Sequence, residues 1–427
     1  MLYLKPLKSS RQFSRSTARL AQFMVLGLVG CQVGPKPALP AGDANVRVTA
    51  DADVPMPAPA VLRSRPRPMP TPVRAVWVAR MHYRYEDDVR TIIRNCADLG
   101  FNTIFWQVRG NGTVAFRSRL EPWLEEFEFH DPGFDPLAVA VHEAHANGLR
   151  IEAWVNVMPG WRGKRPPPVA EQLYNAHPAW FWYDAAGRRQ PLGDFYVSLN
   201  PCLPDARRHI VSVLAEIVSR YDVDGLHLDY IRYAFDTMMN MRNQYPRDAA
   251  TLAMFQRQTG KNPDADPDAW DSWRANQISR LVGEIRAMLD QRRPGATLTA
   301  AVWVDPARAY REALQNGGQW LRAGLVDALV PMAYTEDAAK FEHDVDAYRA
   351  QGGNRRIVPG LGIYKHSVAA KMGEQLQACA ERGGDFALFS YESLMETAGD
   401  RSKTRPDPKE QQARLMRRSV LARFVGK

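Results

Sequence analysis

Short apolar runs in this chain end in carboxylates, amides, guanidiniums and rings, a pattern that suits chemistry more than packing. In Gly225-Leu226-His227-Leu228-Asp229-Tyr230-Ile231-Arg232, strand alternation puts His227 and Asp229 on one face and the leucines on the other. The same period of two aligns Glu152, Trp154 and Asn156. Other runs end in Gln107 and Arg109, in Trp303 and Asp305, in Tyr334 and Glu336, and in Glu392. A polar side chain in an apolar strand must find partners, which makes each of these a candidate for catalysis or binding. Two carboxyl groups flanking a bond can divide the work of proton donor and of base or nucleophile. Asp229 is the leading acid, with Glu336 and Asp305 as candidate partners. Arg109 and Arg232 are placed to hold Asp229 ionised or to bind a carboxylate on a ligand. Each residue also admits a structural role in a hydrogen-bond network, and His227 reads first as an interior histidine that orients its neighbours.

The elements that position these residues alternate in kind. β-Branched and aromatic runs near 74–80, 103–109, 150–157, 225–232, 297–304, 328–334, 356–364 and 386–391 read as strands. Amphipathic stretches near 87–99, 136–147, 204–221, 277–292, 307–323, 336–351 and 367–382 read as helices, with an eighth near 409–423. Such alternation implies right-handed crossovers and a parallel sheet. Eight strand–helix units predict a (β/α)8 TIM barrel, whose chemistry lies at the C-terminal ends of the strands. An open doubly wound sheet is the second choice, because no glycine-rich phosphate loop follows the first strand. The stretch from Trp161 to Pro204 is long for a strand–helix link and holds Trp161, Tyr174, His177, Trp180, Phe181, Trp182 and Tyr183. Long loops of this kind are often binding loops, and flat aromatic faces suit sugar rings. Packing of the loop on itself is the other use of Trp180 and Trp182.

The N-terminus has the layout of an export signal. Five basic residues and no acid precede an apolar run from Leu20 to Gly30, too short to span a bilayer. Leu28-Val29-Gly30-Cys31 resembles the lipobox of bacterial lipoproteins, which implies cleavage before Cys31 and acylation of its thiol. Gln32 in place of Asp points to the outer membrane, facing the periplasm. The expected organisation is a signal at 1–30, a proline-rich tether at 31–72 and a barrel with a basic C-terminal helix at 73–427. The formal charge of +9 divides unevenly: residues 1–30 carry +5, residues 31–74 carry +3, residues 401–427 carry +7, and residues 75–400 carry −6. A net acidic barrel argues against a nucleic-acid partner. Neither a His-x-x-x-His nor a Cys-x-x-Cys pair is present, so no metal or cofactor is expected. Asp264-Ala265-Asp266-Pro267-Asp268 reads as a turn and helix cap. Cys96, Cys202 and Cys379 support no confident disulfide.

Several segments resemble the bacterial glycosyl-hydrolase-like family 10. They are 101–109 (Phe-Asn-Thr-Ile-Phe-Trp-Gln-Val-Arg), Ala153-Trp154-Val155-Asn156, His177-Pro178-Ala179-Trp180, Ser198-Leu199-Asn200-Pro201 and the long motif from Tyr221 to Tyr233, in that order. The resemblance implies a barrel glycosidase with a polysaccharide substrate. One branch of the family cleaves β-1,4-linked peptidoglycan strands stripped of their peptides at the division site, which further implies cell-division partners. On that substrate Gln107, Arg109, Trp154, Asn156, His227, Arg232, Trp303, Tyr334 and Glu392 are the binding candidates. A more distant similarity joins Asp224–Asp229 and Pro331-Met332-Ala333-Tyr334 to the fourth- and sixth-strand motifs of family-18 chitinases. It implies that Asp229 and Tyr334 serve an acetamido group. The acid found two residues after that Asp in chitinases is Ile231 here, so the general acid must come from elsewhere or be absent. A catalytically decayed glycan-binding lipoprotein, or a hydrolase of an exported amino-sugar polysaccharide such as poly-N-acetylglucosamine, fits the same residues.

Overall fold

The computed structural model describes residues 64–235, 240–401 and 407–427. The signal, Cys31 and the tether up to residue 63 lie outside them. Eight parallel barrel strands follow in chain order: β1 Arg74–Val78, β2 Thr103–Arg109, β3 Arg150–Asn156, β4 Gly225–Asp229, β5 Thr297–Trp303, β6 Ala328–Ala333, β7 in two pieces (Arg356–Ile357 and Gly360–Leu361), and β8 Phe386–Leu388. Each pairs with its successor, and β8 returns to β1 with Ala75 opposite Ala387. The sheet is therefore closed, as the strand–helix alternation predicts. An antiparallel hairpin, Pro159–Gly163 with Gly193–Ser198, is inserted after β3.

Strand alternation sorts the side chains. Ala75, Trp77, Phe105, Trp154, Val330 and Ala387 point inward and pack as one cluster inside the barrel. Val76, Ile104, Ile151, Leu226 and Leu298 point outward, under helix residues such as Ile93, Leu137, Leu214, Leu281 and Leu376. Burying these two sets supplies the main driving force for the fold, at about 25 cal/mol per Å² of apolar surface. Helix starts are marked as their sequences demand. Asp135 accepts from the Ala138 amide ahead of helix Pro136–Ala146, and Asp407 accepts from Lys409 ahead of helix Pro408–Val425.

Two helices differ from their sequence patterns. The one expected at 277–292 begins at Pro267, because Asp266 caps it by accepting from the Ala269 amide. The expected single helix at 307–323 is two, Pro306–Ala313 and Gly317–Arg322, divided where Leu314 turns left-handed at φ 50°. Residues 64–72 depart from the tether expected at 31–72, since they cover the N-terminal end of the barrel. The Arg67 amide donates to Asp224 Oδ1 at 2.6 Å, its guanidinium donates to the carbonyls of Leu149 and His145, and Met69 packs against the inner cluster.

Candidate active site

The C-terminal mouth of the barrel gathers side chains from every strand or from the segment after it. Asp229 is the last residue of β4, and the chain turns sharply behind it. Tyr230 is left-handed at φ 49°, a conformation that costs a bulky residue about 1–3 kcal/mol. Asp229 Oδ1 stabilises that turn by accepting the Tyr230 amide at 2.6 Å, and it meets Arg232 Nη1 at 3.3 Å. The Arg232 guanidinium lies 4.3 Å over the Tyr230 ring and 6.0 Å from that of Trp303. Asp229 and Arg232 are both buried, at 8% and 6% exposure.

Aromatic rings wall the mouth. Tyr334, just past β6, packs against Phe389 at 5.3 Å and Tyr364 at 6.1 Å. Burial and the nearby Asp229 charge push its hydroxyl well above the usual phenol range, so it stays a donor. Gly362 lets it sit there, because a Cβ at that position would lie 2.7 Å from the Tyr334 Cβ. Trp154 approaches Phe389 at 6.4 Å, and Tyr196, from the inserted hairpin, meets Tyr230 edge-on at 5.0 Å.

Two further acids reach this rim, on the turn Glu125–Phe127 after β2. Glu126 pairs with Arg80 Nε at 3.0 Å, and the Arg80 guanidinium also meets the Tyr196 hydroxyl. Arg80 lies over the end of β2 where Gly110 leaves room, since a Cβ there would come within 2.8 Å of its guanidinium. The other oxygen of Glu126, Oε2, is buried without a hydrogen-bond partner. Glu125 is exposed, yet partial desolvation, with the Glu126 charge beside it, raises its carboxyl above the ordinary range.

The acids expected to partner Asp229 are used otherwise. Asp305 is an N-cap, its carboxylate accepting from the amides of Ala307 and Arg308 ahead of helix Pro306–Ala313. Glu336 is exposed and anchors a loop by accepting the Ser367 amide at 2.8 Å, which lowers its pKa. A general acid needs the opposite shift. Glu392 is half-buried beside His82 at 3.6 Å. Burial works to raise its carboxyl, and the His82 contact outweighs it and lowers it.

Arg109, expected to hold Asp229 ionised or to bind a carboxylate on a ligand, is likewise used otherwise. It is fully buried, paired with Glu121 through Nε at 2.8 Å and Nη2 at 2.7 Å, and it donates to the carbonyls of Asn156 and Val157. Burial pushes the Glu121 carboxyl up, but the Arg109 charge and the His209 hydrogen bond hold it down at about 2. Arg109 thus carries the backbone of β3, with its charge spent on Glu121. Gln107 accepts the Arg80 amide at 3.2 Å. His227 is enclosed, stacked on Phe105 at 3.9 Å between the Trp77 indole, which donates to Nε2, and the Thr299 hydroxyl at Nδ1. Burial lowers its pKa to about 3, so it is a neutral strut and not a base. Glu152 lies deeper, held by Arg150, Thr297 and Thr299.

Strand periodicity therefore locates Asp229, Arg232, Trp154, Asn156, Trp303 and Tyr334 at the mouth. It does not single out Arg80, Glu125, Glu126, Tyr196, Tyr364 or Phe389. Arg80 and Tyr364 follow the first and seventh strands, and Phe389 follows the eighth, so reading every strand end finds them. Glu126 and Tyr196 arrive on loops whose path the strand pattern does not set. In the long insertion, Phe181 and Trp182 pack inward, and Trp180 and His177 stack nearer the surface, at 3.8 Å. A recess of about 560 Å³ lined by Asp184, Arg188, Arg247 and Asp264 includes no mouth residue and does not mark this site. Among the described residues no three His, Cys, Asp or Glu side chains gather as a metal site.

A closed parallel barrel with acids and aromatics at its C-terminal mouth defines a TIM barrel of the glycoside-hydrolase type. The chain belongs to the glycosyl hydrolase-like 10 family, whose model matches residues 72–380. It is 28% identical over 276 residues to the glycosyl hydrolase DigH of Escherichia coli K12, covering 57% of this chain and 57% of DigH. It is 23% identical over 331 residues to the glycosyl hydrolase YngK of Bacillus subtilis, covering 69% of this chain and 61% of YngK. The chain thus spans under two thirds of either relative. Among solved structures the fold is similar to the PgaB (BpsB) glycoside hydrolase domain of Bordetella bronchiseptica, with TM-score 0.58 and 16% identity over 81% of this chain and 99% of that one. It is also similar to the β-amylase catalytic domain of Paenibacillus polymyxa, with TM-score 0.55 and 11% identity over 81% and 97%.

Proposed function

We propose that this chain is a glycoside hydrolase that cleaves β-1,4 bonds in N-acetylated cell-wall glycan, with peptide-free peptidoglycan strands as its main substrate. The observation that carries the reading is Asp229, a buried carboxylate held by the Tyr230 amide and Arg232 at the end of β4, inside a cleft walled by Tyr334, Phe389, Trp154 and Trp303. Sugar rings stack on such walls through their apolar faces. Asp229, paired with a cation, serves as nucleophile, base or support for an acetamido group. The proton donor comes from Glu125 and Glu126, two acids whose surroundings differ, one raised by burial and its neighbour, the other paired with Arg80. Arg232 is the cation left to meet a carboxylate on the substrate, since Arg109 is enclosed. Acylation at Cys31 would tether the barrel to the outer membrane, facing the periplasm and within reach of division-site partners.

Purified protein incubated with peptide-free glycan strands, with products read by mass spectrometry, tests this. Release of short saccharides by the wild type and their loss in Asp229→Asn is expected; binding without product would favour a glycan-binding module instead. Ile231, wholly buried where chitinases carry their acid, is what keeps that second reading in play. Membrane release of a Cys31→Ser chain tests the anchor.

A further inference from the structure

Two polar atoms on β3 have no partner, and they stand beside Asp229. The Trp154 indole Nε1 and the Asn156 Oδ1 are both buried and make no hydrogen bond, on residues only 4% and 2% exposed. They are successive inward-facing residues of one strand, Asn156 in register with Asp229 and Trp154 with His227. Such atoms are seldom left unpaired, because an unmade buried hydrogen bond costs the full desolvation of the group. Deeper in the same barrel the corresponding groups are satisfied. His227 has a partner on each ring nitrogen, and Glu152 has one on each oxygen. Along the inward faces of β3 and β4, the unpaired atoms are therefore the ones at the mouth.

One of the two atoms is a donor and the other an acceptor. Alternate residues on a strand lie about 6.6 Å apart along the chain, a spacing that brackets a small group from above and below. A secondary amide is such a group, offering a carbonyl acceptor on one side and an N–H donor on the other. Phe389, against Trp154 at 6.4 Å and Tyr334 at 5.3 Å, gives an apolar wall for a methyl group. We propose that Trp154 and Asn156 form an acetamido subsite, the indole N–H donating to the acetyl oxygen and the Asn156 carbonyl accepting the amide N–H of a 2-acetamido sugar. This rests on the glycosidase reading and assigns its specificity. A free amine offers no carbonyl to the indole and brings a charge into a buried place. A site built around hydrogen bonds rejects a ligand that lacks them more strongly than an apolar site rejects a missing methylene.

The test compares one glycan in two forms, N-acetylated and chemically de-N-acetylated, with the wild type, Trp154→Phe and Asn156→Leu. Trp154→Phe removes the donor and keeps an aromatic ring; Asn156→Leu keeps the volume. The wild type should favour the acetylated form, and each variant should lose about 10- to 100-fold of that preference, read as the ratio of kcat/KM on the two forms. Equal losses on both forms, or a wild type that does not discriminate, would overturn the subsite. If the wild type cleaves neither glycan, the glycosidase reading fails by itself. The subsite is then read by calorimetry with tetramers of N-acetylglucosamine and of glucosamine. Preference for the acetylated tetramer that both variants abolish supports it; equal binding overturns it. Thermal melts of both variants check that each is folded.

Discussion

The two ends of β4 carry the same residue type in opposite circumstances. Asp224, just before the strand, is wholly buried and fully engaged: it accepts from the amides of Arg67 at 2.6 Å and Ile151 at 2.9 Å, and it contacts His145 at 3.1 Å. Burial would raise its pKa, but the His145 contact and the two amides win, and it is lowered. Asp229, at the other end, has one amide and one longer contact to Arg232. The guanidiniums follow suit. Arg150 at the bottom donates to Glu152, Thr297 and the carbonyls of Arg67 and Asp224, whereas Arg232 meets Asp229 and two rings. The bottom spends its charges on holding the barrel closed over residues 64–72. The mouth keeps hydrogen-bonding capacity for something that arrives. In barrels of this kind stability is kept at one end and chemistry at the other.

The comparison breaks first at Asp229. Asp229→Asn should lower kcat on peptide-free glycan by about 10³-fold or more, and Glu126→Gln by about 10²-fold. The melting temperature should move little in either variant, because neither charge is fully engaged. If Asp229→Asn unfolds the barrel, Asp229 belongs with Asp224 and the contrast is wrong.

The bottom should behave the other way. Glu152→Ala leaves Arg150 buried without its carboxylate, which should cost about 3–5 kcal/mol in urea unfolding. The folded fraction should keep its kcat/KM within about twofold, since the substitution lies a full barrel layer below the mouth. A large loss of activity with unchanged stability would make Glu152 part of the site.

Acid should weaken the interior through His227. Its folded pKa is about 3 against 6.5 when free, so between these values the unfolded chain binds more protons than the folded one. Stability from this group is complete above pH 6.5 and declines as pH falls toward 3. Glu121 adds to the loss lower down, from its ordinary 4.5 toward about 2. Urea midpoints from pH 7.5 to 4.5 should therefore fall with pH, and His227→Gln should flatten the part between 6.5 and 4.5. An unchanged slope in that variant would mean that His227 is already protonated in the barrel.

Much of this arrangement is legible in the sequence because strand alternation is a local rule. It put Trp154, Asn156 and Asp229 on inward faces and made the barrel the natural closure of eight strand–helix units. What it does not contain is which end of a strand a loop returns to. Arg109 reads like a ligand-binding cation at the end of β2, yet the β2 register shifts at Gln107/Arg109, and Glu121 returns on a loop to neutralise it. Glu126 belongs to a turn without periodicity, and only the folded path of 110–135 sets it against Arg80. Residues 64–72 look like tether by their prolines, but Arg67 and Met69 are the parts that dock.

The smallest effects should come from the two acids that strand-end position alone would have made catalytic. Asp305→Ala removes a cap that serves two amides, and such caps contribute about 1 kcal/mol to stability. Glu336→Gln weakens a charge-assisted bond from the Ser367 amide on an exposed loop, where solvent screens the charge and the stability should change less than in Asp305→Ala. Neither should change kcat by more than about twofold, because neither carboxyl is desolvated and each already has a backbone partner. Parallel urea titrations and rate measurements on the pair read both quantities. A tenfold loss of rate in Glu336→Gln would bring the end of β6 into the catalytic set and take the proton-donor role from Glu125 and Glu126.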